Sequence, residues 1–436
     1  MILLLLGGVL APALAQDEGP MLTNEVVGGW RLTNLQALDP GVIDDSSASA
    51  SATLSPNARY IFWTDDRNTL CLYELASTTN TCWSFPDDPV RADAAEAFVW
   101  SPDERYVAFS DTSLRLAYEG DLWVFDTQEG RLINLTDDGI IGSMLGPDDE
   151  EIWIDYLPTW SPDGALYFVR ATRLEEGYGL NLYRFPRQTL AGVELWGELE
   201  IVMDLTPTLG TGLPFYDNRP VPLDGVLSFS PDGQWLALAV NDEIGRRNED
   251  LPGIYLLNLP TGDLTQLVSR AAMLASNLPA WEDPDRPVFL QITGLAWASN
   301  SASLVATLFD PSGRTTPTSQ SYQVEVATGQ ITPLFNWQAS SEVGFESDLR
   351  SDGTTARFDV TFQLVLAQDV LVFRNDRPFG FSAIDLNAPR DLPVRLAQYA
   401  DGEYDSTPWA FSSTGTDGQR WYVLLDGQLL TFERAE

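Results

Sequence analysis

A single all-β ring of repeated four-stranded antiparallel units is the fold class this 436-residue sequence predicts. Three observations predict it. A turn-and-strand pattern recurs along the chain at intervals of about 45 to 70 residues. Each copy is followed by a second pair of short apolar strands. The last copy lacks a fourth strand, while a strand of the missing type stands near the start.

The first half of the repeat reads Trp100-Ser101-Pro102-Asp103-Glu104-Arg105-Tyr106-Val107-Ala108-Phe109. It recurs as Trp160-Ser161-Pro162-Asp163-Gly164 and as Phe229-Ser230-Pro231-Asp232-Gly233, each leading into an alternating apolar run. Weaker copies begin at Leu54-Ser55-Pro56-Asn57, Trp297-Ala298-Ser299-Asn300 and Phe411-Ser412. Pro presets φ, Asp and Gly tolerate turn geometry, and the apolar runs on either side read as strands, so each copy is a hairpin. The second half follows as Asp121-Leu122-Trp123-Val124-Phe125-Asp126 leading into Gly130 to Thr136, and again as 253–257 into 262–267 and 322–326 into 329–334. Four short antiparallel strands per unit, repeated, are the signature of a β-propeller.

These residues resemble the TolB-type WD-like propeller repeats, whose Trp-Ser-Pro-Asp-Gly turn precedes an Asp-x-Tyr-x-x-Asp strand and a Leu-Thr strand. The resemblance spans nearly the whole chain beyond residue 15. It implies a propeller, and in TolB itself the fold serves protein interaction in the periplasm. Six copies are clear or fair, and a degenerate seventh lies between about 358 and 397, where Asp369 to Asp376 resembles a second strand. We expect seven blades, six being the count without that stretch. The chain ends on three strands, and Leu32-Thr33-Asn34-Leu35 matches Leu132-Ile133-Asn134-Leu135. The N-terminal strand is therefore expected to complete the last blade and close the ring.

Composition then narrows the chemistry. The chain has 25 basic and 63 acidic residues, a net charge of −38, with no Lys and no His. Imidazole bases, Ser-His pairs, His metal ligands and Schiff-base lysines are all excluded. A nucleic-acid partner is not expected, because such a field repels polyanions. The two cysteines, Cys71 and Cys82, flank a polar turn and are placed to form a cross-strand disulfide of structural character.

Residues 2 to 14 are apolar and end in Ala13-Leu14-Ala15, the small-x-small form of an export signal, too short for a membrane span. The expected organisation is a signal peptide over 1–15, a linker over 16–24 and the propeller over 25–436. The protein is expected to be exported, to the periplasm, the cell envelope or the exterior, and monomeric.

Long insertions fall at 137–156, 206–225, 242–252, 270–291 and 310–319, and nearly all project from one side of a ring so built. Phe215, Tyr216 and Trp281 are aromatics suited to peptide or sugar contact, and Arg246 and Arg247 could clamp a carboxylate. Asp148, Asp149, Glu150, Glu151 and Asp155 form an acidic run of the oxygen-rich kind that calcium takes, and calcium is the one cofactor considered. The repeated Trp100, Trp160 and Trp297 read as packing between sheets. The expected function is a non-catalytic binding or scaffold module for a protein or peptide, or for carbohydrate. The alternative is a carboxylate- or calcium-dependent propeller hydrolase of glycosidase or lactonase type, which needs no His.

Overall fold

The computed structural model describes residues 20–38, 52–66, 68–86, 90, 97–111, 120–137, 153–173, 178–190, 193–209, 214–215, 219–220, 226–241, 252–275, 291–309, 319–334, 364–376, 379–388, 393–398, 412–413, 418–425 and 427–436. The repeat becomes seven antiparallel sheets, each here called a blade. Blade 1 pairs Thr53–Leu54, Tyr60–Asp66, Thr69–Glu74 and Thr79–Ser84 in that order, and blade 2 pairs Val99–Trp100, Tyr106–Ser110, Leu122–Asp126 and Arg131–Asn134. Blade 3 is Trp153–Trp160, Leu166–Arg173, Tyr178–Phe185 and Glu200–Asp204, and blade 4 is Leu227–Phe229, Trp235–Val240, Gly253–Asn258 and Asp263–Ser269. Blade 5 is Gln291–Trp297, Ser303–Phe309, Ser319–Glu325 and Ile331–Pro333. Blade 6, the degenerate copy, is Leu364–Ala367, Val370–Asp376, Phe379–Asp385 and Val394–Gln398. Blade 7 takes Ser412–Ser413, Arg420–Leu425 and Gln428–Arg434 from the C-terminus and Trp30–Ala37 from the N-terminus.

The first strands of neighbouring blades touch all the way round, from blade 1 through blade 7 and back to blade 1. They are the inner strands of a closed ring. The core is divided in the same way, into apolar clusters that each bridge two neighbours. Phe62 and Phe98 meet Phe109 and Phe125 between blades 1 and 2, and Val305 meets Phe373 between blades 5 and 6. Alternating side chains of each strand thus face a neighbouring sheet on both sides, which is why these strands read as nearly continuous apolar runs.

The Ser-Pro-Asp turn has a definite mechanism. Ser101 Oγ donates to Asp103 Oδ1 at 2.6 Å and accepts the Tyr106 N–H at 2.9 Å, so one hydroxyl ties the turn to the next strand. Ser230 makes the same two bonds with Asp232 and Trp235, and Ser161 makes them with Asp163 and Ala165. The fourth turn residue is left-handed in five blades: Ala58, Glu104, Gly164, Gly233 and Ser301 all have φ between +50° and +87°. Glycine adopts this freely, but Glu104 pays a steric cost of about 1 kcal/mol. Its carboxylate offsets that by accepting Ser55 Oγ and the Asn57 N–H, each at 2.7 Å, from blade 1.

The repeated tryptophans join blades. The Trp100, Trp160 and Trp297 indoles donate to the carbonyls of Thr53, Val99 and Ser228, each on the inner strand of the preceding blade. The motif carboxylates are structural as well. Asp126 accepts the N–H groups of Gln128 and Glu129 in its own turn and pairs with Arg105 at 3.0 Å.

Ring closure follows the expected route and extends beyond it. Asn34 and Leu35 pair with Thr431 and Leu430. Pairing begins earlier than residue 25, because Met21 and Leu22 lie against Gln398 and Ala397 as a fifth strand on blade 6, within the stretch expected to be linker. Val26–Val27 folds back on Trp30 and Arg31. The arm turns between the two blades at Gly28, with φ +58° and with a Cβ position only 2.6 Å from Val370 Cγ2, so only glycine fits.

Cys71 and Cys82 face each other in register and form the disulfide, joining the third and outer strands of blade 1. By the loop-entropy argument the bond constrains a short loop of the unfolded chain. Replacing both with Ala is expected to cost about 2–3 kcal/mol in urea unfolding. Unchanged stability would show that the strand ladder alone holds that edge.

Candidate functional site: the face with the long connections

The two ends of the ring are built differently. At one end lie the turns from first to second and from third to fourth strands, and they bond to one another at four of the blade junctions. Glu104 of blade 2 reaches Ser55 of blade 1, Asp103 accepts Arg187 of blade 3 at 2.7 Å, and Asp232 of blade 4 donates its N–H to Ser301 Oγ of blade 5 at 3.3 Å. Asp369 of blade 6 then accepts the Ser299 N–H and hydroxyl, both at 2.7 Å. Burial works to raise the Asp103 pKa, and hydrogen bonds from Arg187 and Ser101 outweigh it, so the carboxyl titrates below its ordinary range. The tie therefore contributes at neutral pH and is lost as pH falls through the lowered value.

The longest connection at this end carries a hairpin, Arg187–Leu190 with Val193–Trp196. It folds down onto the ring. Arg187 lies 4.8 Å over the Tyr106 ring, and Trp196 packs on Tyr106 and Trp160 at centroid distances of 5.4 and 5.9 Å. The described turns of this end are thus held by contacts with one another.

At the opposite end, strands lead into the connections 138–152, 210–225, 242–251, 276–290, 310–318, 335–363 and 399–411. The described residues beneath them include a polar junction between blades 2 and 3. Asp155, third residue of its inner strand, is 1 % exposed, and Arg170 stands directly across from it on the next strand. Arg170 Nε and a terminal guanidinium nitrogen donate to the two Asp155 oxygens, both at 2.6 Å. The guanidinium lies against the rings of Trp153, Tyr183 and Phe168 at 4.5, 5.2 and 5.8 Å. Ser110 Oγ of blade 2 donates to the Asp155 carbonyl at 2.5 Å, and the Asp155 N–H bonds to Gly120 O at 2.9 Å. Asn134 donates to Asp121 at 2.6 Å and accepts the Thr136 N–H, so its side chain is engaged within blade 2.

Of the residues singled out in the sequence, Asp155 is therefore committed to an arginine, and a metal there would have to displace Arg170. Phe215 belongs to a two-residue strand, Pro214–Phe215, paired with Arg219–Pro220 in the connection from blade 3 to blade 4. Tyr216, Trp281, Arg246, Arg247, Asp148, Asp149, Glu150 and Glu151 lie outside the described residues. Among the described residues no group of three or more carboxylate or cysteine side chains is placed to hold a metal ion. Sequence reading missed Arg170, the partner that decides the role of Asp155. Its signal was present only in hindsight of register, as an arginine interrupting the apolar run Leu166 to Ala171.

No family model matches the chain, and no curated protein matches it. Among solved structures, a chain from a crystal structure of a mitotic checkpoint complex is 11% identical, with a TM-score of 0.46 over 100% of this chain and 99% of that one. The propeller assignment rests on the strand pairing and takes nothing from this likeness. No described helix is long and apolar enough to cross a membrane.

Proposed function

We propose that the chain is an exported, non-catalytic binding or scaffold propeller with TolB-type WD-like repeats, engaging a protein or peptide on the face with the long connections. The observation that carries this reading is the asymmetry of the ring. At one end the described turns bond to one another at four blade junctions, and most of the connections long enough to shape a binding surface leave from the other. Export is supported by the apolar run over residues 2 to 14 and its Ala13-Leu14-Ala15 ending. N-terminal sequencing of the mature protein is expected to begin at Gln16.

The expected result of affinity capture from envelope and culture fractions is a partner retained by the wild type and lost with Trp281→Ala or Tyr216→Ala. Equal retention by both variants would remove the loop face as the binding surface. The reading also implies that no bound metal is needed. Equilibrium dialysis of the wild-type protein is expected to show no calcium uptake; uptake abolished by Asp148→Asn with Asp149→Asn would instead assign a calcium site to the acidic run.

A further inference from the structure

The outer strand of a blade is an open edge, and this chain shows how one of its own edges is closed. In blade 6, Phe381 pairs with Ala397 and Ser382 with Arg395, leaving Leu396 as a one-residue bulge. The arm sets Leu22 and Met21 opposite Ala397 and Gln398. Thr23 then takes the two carbonyls at the bulge, its N–H bonding Leu396 O at 2.8 Å and its hydroxyl bonding Arg395 O at 2.6 Å.

Blade 3 has the same edge without the cover. Leu182 pairs with Met203 and Tyr183 with Ile201, leaving Val202 as the bulge. Ile201, Val202, Met203 and Asp204 thus stand where Arg395, Leu396, Ala397 and Gln398 stand in blade 6. Among the described residues no strand lies outside Glu200–Asp204, and Ile201 is 63% exposed, second among the described large apolar side chains to Met21 of the arm at 70%. Exposed apolar edges invite another strand unless blunted by Lys, Pro or a covering segment. Blade 5 ends its outer strand on Pro333, and blades 6 and 7 are covered by the arm.

We propose that the outer edge of blade 3 docks an extended segment of a partner protein as a fifth strand, in the manner of Met21-Leu22-Thr23 on blade 6. The segment has leucine opposite Met203, a basic residue before it opposite Asp204, and Ser or Thr after it to reach the Ile201 carbonyl. Main-chain bonds supply affinity, and the apolar and charged positions supply selection. A second copy of this chain is the poorer occupant, because antiparallel self-pairing about Val202 sets Glu200 against Asp204. This site is on the rim of the ring and is independent of the loop face.

The probe is a fluorescein-labelled peptide, Gly-Ser-Arg-Leu-Thr-Arg-Gly, added to the full-length mature protein. Anisotropy is expected to saturate, and amide exchange over residues 200–204 is expected to slow about tenfold at saturation. Ile201→Arg should weaken binding at least about tenfold, and replacing both peptide arginines with Glu should do the same at low salt. Ile201 is exposed, so the variant should keep its melting temperature, and the exchange map of the wild type needs no variant at all. The proposal is overturned by no saturation at millimolar peptide, by protection appearing elsewhere, or by equal binding to Ile201→Arg. Self-association that Ile201→Arg abolishes, with no peptide bound, would overturn it too and make a second copy the occupant.

Discussion

A chain lacking residues 20–37 is expected to be insoluble or unfolded. The arm is the outer strand of blade 7 and the fifth strand of blade 6. Its Val27, Trp30 and Leu32 also share a core with Val370, Phe381, Trp421 and Phe432 of both blades. Removing it exposes two sheet edges and the apolar wedge between them, which no small repacking can cover. Removing only residues 20–24 takes away the short blade 6 pairing and leaves the wedge intact, so that truncation should fold with a lowered melting temperature. A soluble monomer of unchanged melting temperature after the full deletion would refute closure by the arm. The comparison of the two truncations separates ring closure from edge covering.

The second large effect concerns Asp155 and Arg170. Asp155→Ala leaves a guanidinium 7 % exposed among aromatic rings without its carboxylate, and we expect a loss of about 3–5 kcal/mol in urea unfolding. Arg170→Met alone should cost a similar amount by stranding the carboxylate. The double variant Asp155→Leu with Arg170→Met should recover much of the loss, since a well-packed apolar pair can replace a buried ion pair at little cost. Additive losses in the double variant would show that the two side chains act separately, each through its own surroundings. The pair sits under the long connections, so partner capture should fall with the single variants only as far as their stability does.

Much of the ring was legible because the repeat writes local rules. Ser101, Asp103 and the left-handed fourth residue announce a turn with its own hydrogen bonds, and such turns are read from a few adjacent residues. Blade 6 was legible for a different reason: Val370 to Phe373 is a plain apolar strand even though its turn has lost the Ser-Pro-Asp signature. The pairing of Met21 and Leu22 with blade 6 was not legible, because two residues carry no period and the partner is hundreds of residues away. The same holds for Asp155. An aspartate in an acidic stretch looks like a ligand until register sets Arg170 opposite it, and register is a property of the folded sheet.

The arm also sets when folding can finish. Thr33 and Thr431 bond across one sheet although they are 398 residues apart in the chain. Contacts of such separation form late and slowly, because the entropy of closing the loop must be met before they reward it. The first strand of blade 7 to be synthesised therefore waits, unpaired, until the last one has left the ribosome. Any fragment that ends before Gln428 lacks the partner of Trp30–Ala37, so incomplete products of this chain carry an exposed strand that quality control can recognise.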